Sequence, residues 1–175
     1  MFNKVDILKI FFRDPQKKYH LREIAKIFRI SPRTAKNHLT QLCKEGLVIV
    51  EKEKIYENYR ANLDSQKFKD YKVFYSIGKI RESGLIEYLN DVFNYPTIIL
   101  FGSIARGEDI EKSDIDLFII TENKKDIDMS KFEKKLKKNI QIFMANKKEF
   151  KLGKNKELFN NVINGIILSG FVEVF

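Results

Sequence analysis

Residues 96–101 (PTIILF) and 117–120 (LFII) are short apolar runs, and the segment between them opens on Gly102-Ser103 and closes on Asp114-Ile115-Asp116. Runs of this length and composition read as buried strands, the first ending in a tight turn at the glycine. Gly102 lets the backbone take a positive φ or come close to a ligand, and residues 104–107 can then form a short helix whose free N–H groups meet an anion. Asp114 and Asp116 bracket Ile115 at the start of the second run, so strand alternation turns both carboxylates to one side. Converging carboxylates repel each other unless a cation lies between them, and hard oxygen ligands of this kind suit Mg²⁺ (or Mn²⁺) together with substrate phosphates. The expected ligand is the metal with a nucleoside triphosphate.

Gly102-Ser103, ten intervening residues and Asp114-x-Asp116 resemble the signature of the minimal nucleotidyltransferases, relatives of the DNA polymerase β superfamily. Ala105-Arg106-Gly107, Ser113, and Ile115 and Leu117 around the second aspartate extend the likeness. The resemblance implies that Gly102 and Ser103 bind the β and γ phosphates of a triphosphate such as ATP. It places Arg106 near those phosphates and makes Asp114 and Asp116 the metal-holding, catalytic carboxylates. The reaction it implies is in-line attack of an acceptor hydroxyl on the α-phosphorus, with pyrophosphate leaving. One feature departs from the pattern. The superfamily supplies a third carboxylate from a later strand, and residues 139–144 (NIQIFM) should carry it, but Gln141 stands between Ile140 and Ile142 where an inward acid is expected. An amide is a poor metal ligand and no base, so nucleotide binding is better supported than turnover.

The chain carries a net charge of +9, concentrated in its first third: 14 Lys and Arg stand against 7 Asp and Glu in residues 1–62, while residues 63–95 balance. A basic segment joined to a nearly neutral one points to nucleic-acid contact through the first. At 175 residues, with 15 Phe, the chain can bury one large core or two small ones. Its single cysteine, Cys43, most simply a small core residue, excludes an internal disulfide framework and a multi-cysteine zinc site. No signal peptide or membrane-length apolar run stands out, and a cytoplasmic location without membrane contact is expected.

Residues 2–12 suit a buried first helix ended by Asp14-Pro15, and Leu21, Ile24, Ala25 and Phe28 mark one face of a second. Ser31 can cap a third helix with Pro32 at its first position, and Gly46 ends it. Ala35, Leu39, Leu42 and Cys43 share one face of that helix, and Arg33, Lys36, Asn37, Thr40, Gln41 and Lys44 the other. Such a face suits phosphate contacts from Arg33 and Lys36 and base-edge contacts from Asn37, Thr40 or Gln41 in duplex DNA; a plain solvated face is the alternative. Strand-like runs at 47–50 and 55–61, around a charged tip at 51–54, complete three helices and a hairpin. Residues 19–62 resemble the winged helix-turn-helix of ArsR-like prokaryotic regulators, which implies DNA binding and frequent dimerisation.

Residues 63–84 read as a helical connector whose stripe of Phe68, Tyr71, Phe74 and Tyr75 either packs on its own domain or forms a homodimer seam. A helix over 85–93 precedes the first strand. Residues 131–138 form a short basic helix whose lysines read as a solvated face or as a seat for an acidic partner. A break at Gly153, a helix near 157–164 and a final strand at 171–175 close the chain.

The expected fold class is α+β: a winged helix-turn-helix over 1–62, the connector, and a small nucleotidyltransferase-like domain over 85–175 with a mixed sheet flanked by helices. Two functions fit. One is a nucleotidyltransferase tied to DNA, whose acceptor is a hydroxyl on a partner protein; the resembled family includes antitoxins that modify HEPN-type toxins. The other is a DNA-binding regulator whose second domain senses a nucleotide or binds a protein.

Overall fold

The computed structural model describes residues 3–52, 56–152 and 156–172. Phe2, the hairpin residues 53–55, Gly153 and the end of the expected final strand, 173–175, lie outside the described residues. The chain divides into two compact units, Met1–Lys72 and Val73–Phe175. Helix α4 (Gln66–Glu82) spans the division.

The first unit holds α1 (Lys4–Arg13), β1 (Tyr19–His20), α2 (Leu21–Phe28), α3 (Pro32–Lys44), β2 (Val48–Lys52) and β3 (Glu57–Ala61). Local chemistry sets the helix ends. Asn3 and Asp6 form a reciprocal capping box on α1, and the Ser31 side chain accepts the Thr34 N–H at 3.0 Å ahead of Pro32. The apolar faces of the helices meet in a core of Ile7, Phe11, Ile24, Leu39, Leu42 and Phe68, each fully or nearly fully buried. An antiparallel sheet of order β1-β3-β2 packs with them. Strand β1 was not anticipated: two residues are too few for a periodicity, and Tyr19 and His20 become a strand only by pairing with Tyr59 and Asn58. Glu51 and Lys52, expected in the hairpin tip, instead continue β2 opposite Asn58 and Glu57. The Glu51 carboxylate is held there by Lys18 and Arg60, which keep it below the usual carboxylate range.

In the second unit, α5 (Leu85–Phe93), β4 (Thr97–Phe101), α6 (Gly102–Ala105), β5 (Ile115–Ile120), α7 (Ser130–Leu136), β6 (Ile140–Ala145), α8 (Lys147–Leu152), α9 (Lys156–Ile163) and β7 (Ile166–Ser169) follow α4. The sheet order is β6-β5-β4-β7, with β5 and β6 parallel and the other pairs antiparallel. Alternation splits the strand residues between two cores. Ile98, Leu100, Leu117, Ile119 and Ile140 pack with Leu89 of α5 and Phe132 of α7. Ile99, Phe101 and Phe118 pack on the other face with Phe150 of α8 and Val162 of α9.

The final strand differs from expectation. It is Ile166–Ser169, paired with β4, while Phe171 and Val172 lie outside any strand. Gly170 ends it at φ +71, where an added Cβ would come within 2.8 Å of Thr97 Cα, the first residue of β4. Strand length is thus set by the neighbour, which the alternation of residues 171–175 does not report. Among the described residues no helix is long and apolar enough to cross a membrane.

Candidate nucleotide and metal site

The turn from β4 into α6 brings Gly102 beneath the start of β5. Gly102 has φ +73, and a Cβ added there would overlap Asp116 Oδ2 and approach its Cγ to 3.1 Å. A glycine is required both by the backbone and by the carboxylate lying on it. Ser103 follows half-buried, its carbonyl accepting the N–H groups of Glu108 at 2.9 Å and Arg106 at 3.3 Å.

Asp116 sits in the central strand, paired with Phe101 on one side and Gln141 on the other. Asp114 precedes the strand by one residue and shares that face. Its Oδ1 accepts from Asn139 Nδ2 at 3.1 Å and its Oδ2 from Gln141 Nε2 at 2.5 Å. Burial, and then the Asp114 charge, raise the Asp116 carboxyl above its ordinary value, while Arg106 pulls it back in part. Arg106 is exposed, with its Nε 3.0 Å from Glu108 Oε2. The expected residues Gly102, Ser103, Asp114 and Asp116 therefore converge, and Gln141 occupies the β6 position beside them.

A further residue was not anticipated. Lys138 Nζ donates to the carbonyls of Ile110 at 2.8 Å, Ser113 at 3.0 Å and Glu111 at 3.3 Å, and lies 3.5 Å from the buried Asp109 carboxylate. Helix α7 ends at Leu136, Lys137 takes φ +55, and the chain turns Lys138 under the loop that delivers Asp114. Lys135 likewise donates to the carbonyls of Ser83 at 2.9 Å and Glu82 at 3.2 Å. Both ammonium groups are engaged by backbone carbonyls, Lys138 half-buried and Lys135 exposed. Lys138→Met should cost about 2–3 kcal/mol, since three carbonyls and a buried carboxylate lose their shared cation. Thermal denaturation checks this, with Lys134→Met as the control expected to change stability little.

The donor set suits a divalent cation: two adjacent carboxylates, one with its proton affinity raised by burial and then by the other's charge, gain most from a positive charge between them. Among the described residues no group of three or more His, Cys, Asp or Glu is assembled for a metal; Asp114 and Asp116 are the two carboxylates that would hold one. The pH consequence has a definite sign. Because folding raises the Asp116 value, the metal-free folded protein holds the proton in the window above 3.8 where the unfolded chain has released it. This contribution to stability falls as pH rises through that window. Asp116→Asn should abolish the fall and raise metal-free stability at neutral pH by at most about 1 kcal/mol, given solvent screening. Melting curves from pH 3.5 to 7 for the two proteins test it.

In the first unit, Arg33, Asn37, Thr40 and Gln41 are exposed on α3. Lys36, expected beside them as a phosphate contact, is half-buried. It is engaged by the Glu57 carboxylate and by Tyr59 Oη at 2.9 Å, and Tyr59 Oη in turn donates to Glu57 at 2.8 Å. Its long stem reaches β3, a neighbour that helical periodicity does not show.

Residues 84–170 match the family model described as polymerase beta, nucleotidyltransferase. No curated protein and no solved structure matches the chain. The family match covers the glycine turn, both aspartates and all four strands of the second sheet, and it supports a nucleotidyltransferase domain there.

Proposed function

We propose that this nucleotidyltransferase-type domain binds a metal-complexed nucleoside triphosphate and passes its nucleoside monophosphate to an acceptor hydroxyl. The observation that carries this is the Asp116 carboxylate seated on Gly102, which joins the phosphate turn and the metal carboxylates in one site. Gly102 and Ser103 bring the backbone against the β and γ phosphates, Arg106 adds a positive charge beside them, and Asp114 and Asp116 hold Mg²⁺ or Mn²⁺. A cation held by these two carboxylates would supply the charge that offsets the phosphates and the departing pyrophosphate. Asn139 and Gln141 keep the Asp114 carboxylate oriented.

A specific observation favours a second reading. Gln141 pairs in register with Asp116 and spends its amide on Asp114, so it can neither ligate a second cation well nor take the acceptor's proton. Under this reading the domain holds a nucleotide and the first unit is the output.

For the first unit we infer a winged helix-turn-helix that reads duplex DNA with Arg33, Asn37, Thr40 and Gln41. Three helices, a β2-β3 hairpin and the exposed polar face of α3 support it. The acceptor we assign is a hydroxyl on a partner protein such as a HEPN-type toxin, following the antitoxin likeness.

The test uses ATP labelled at the α-phosphate, incubated with the protein and a cell extract, alongside duplex-DNA binding. Label transfer that is lost in Asp114→Asn, with DNA affinity intact, supports the enzyme. Absence of transfer, with Mg²⁺-dependent ATP binding and DNA binding that falls in Arg33→Ala, supports the regulator.

A further inference from the structure

On the face of the sheet that carries the two aspartates, the β5 and β6 pairs run Asp116 with Gln141, then Phe118 with Phe143, then Ile120 with Ala145. The surface passes from charged to aromatic in one two-residue step, about 7 Å along the strands. Beyond that step the packing is incomplete. A cavity of about 300 Å³ lies over Phe118, Phe143 and Ala145, closed by Phe150 of α8 and by Leu158 and Phe159 of α9. Its rings are set by one another: Phe118 and Phe150 have centroids 5.7 Å apart, Phe150 and Phe159 5.1 Å, and Phe143 meets Phe101 edge-on at 5.6 Å. Phe143, Leu158 and Phe159 are each only half-buried, so apolar surface stays open to the cavity. The Lys124 and Glu149 ion pair lies at its rim.

We propose that this cleft is the base site of the nucleotide whose phosphates meet Gly102, Asp114 and Asp116. The ligand it fits is a planar heteroaromatic ring carried one ribose away from a metal-bound phosphate chain. The strand register places the near wall of the aromatic slot, Phe118 and Phe143, at that separation from the charged seat on one surface. Rings and aliphatic walls hold the flat face of a base and are indifferent to its hydrogen-bonding edge, so the slot supplies affinity by stacking. Phe118 and Phe150 also build the core; Phe143, Ala145 and Phe159 are the residues through which the slot can be altered.

The assignment rests on the metal and nucleotide reading above, and the test separates the two. Calorimetric titration with Mg²⁺ compares ATP with inorganic tripolyphosphate, which has the charge and no base. The wild type should bind ATP at least about 10-fold more tightly than tripolyphosphate. Phe143→Ala, which empties one wall, and Ala145→Phe, which fills the slot, should each remove most of that difference and leave tripolyphosphate affinity unchanged. A packing defect that reached the Gly102 turn would lower tripolyphosphate affinity as well, so unchanged tripolyphosphate binding assigns a shared loss of ATP preference to the slot. Equal wild-type affinity for the two ligands, or an ATP preference that survives both substitutions, overturns the base site and leaves the phosphate site standing. No binding of either ligand by a folded wild type overturns both.

Discussion

Gly102→Ala is expected to lower Mg²⁺-dependent nucleotide affinity by about 100-fold or more while leaving the first unit folded. Two physical costs add at this position. Alanine at φ +73 carries a left-handed backbone penalty of about 1 kcal/mol or more. Its Cβ also overlaps Asp116 Oδ2, and because the Asp116 backbone is held in its strand between Phe101 and Gln141, only the side chain can give way. The carboxylate must rotate off the turn, separating the proposed metal ligand from the proposed phosphate seat, and a displacement of about 1 Å at such a site is worth about two orders of magnitude. Calorimetry gives the affinity, and circular dichroism verifies folding. Gly78→Ala, where an added Cβ meets nothing within 4 Å, is the control expected to bind normally.

The second large effect is a gain. Gln141→Glu is expected to raise nucleotidyl transfer by about 100-fold or more under saturating Mg²⁺, since it puts a carboxylate at the in-register neighbour of Asp116, where one can bind a cation and accept a proton. The same variant should be less stable than the wild type without metal. A third negative charge joins Asp114 and Asp116, and Asp114 Oδ2 exchanges an amide donor for a like charge. Label transfer from ATP and melting temperatures with and without Mg²⁺ measure the two halves. A gain in transfer together with a metal-free loss of stability identifies Gln141 as the position that restrains the chemistry.

The difference between what the chain revealed by itself and what needed the structure follows from the range of the forces involved. Gly102-Ser103 and Asp114-x-Asp116 were legible because turns and strand alternation are local. Two apolar runs with a glycine at the end of one and aspartates at the start of the other leave little freedom in where those groups point. The placement of Gln141 beside Asp116 followed from the same alternation, once Ile140 and Ile142 faced the core. Lysine side chains are the least legible feature of the sequence. Lys36 and Lys138 carry stems long enough to cross to another element, so Glu57 with Tyr59, and the carbonyls of residues 110–113, decide where each ammonium goes. Strands β1 and β7 were missed or displaced for a related reason, being defined by partners distant in the chain. The aromatic cleft lay hidden because Phe118 and Phe143 meet Phe150 and Phe159 only through tertiary packing.

The titration to run is ATP into the purified protein with and without Mg²⁺, for the wild type and Asp116→Ala, because it needs no knowledge of the acceptor. Binding that requires both the metal and Asp116 is the predicted result and establishes a site built from the Gly102 turn and the paired aspartates. Absence of ATP binding under every condition, or binding indifferent to Mg²⁺ and to Asp116, contradicts it.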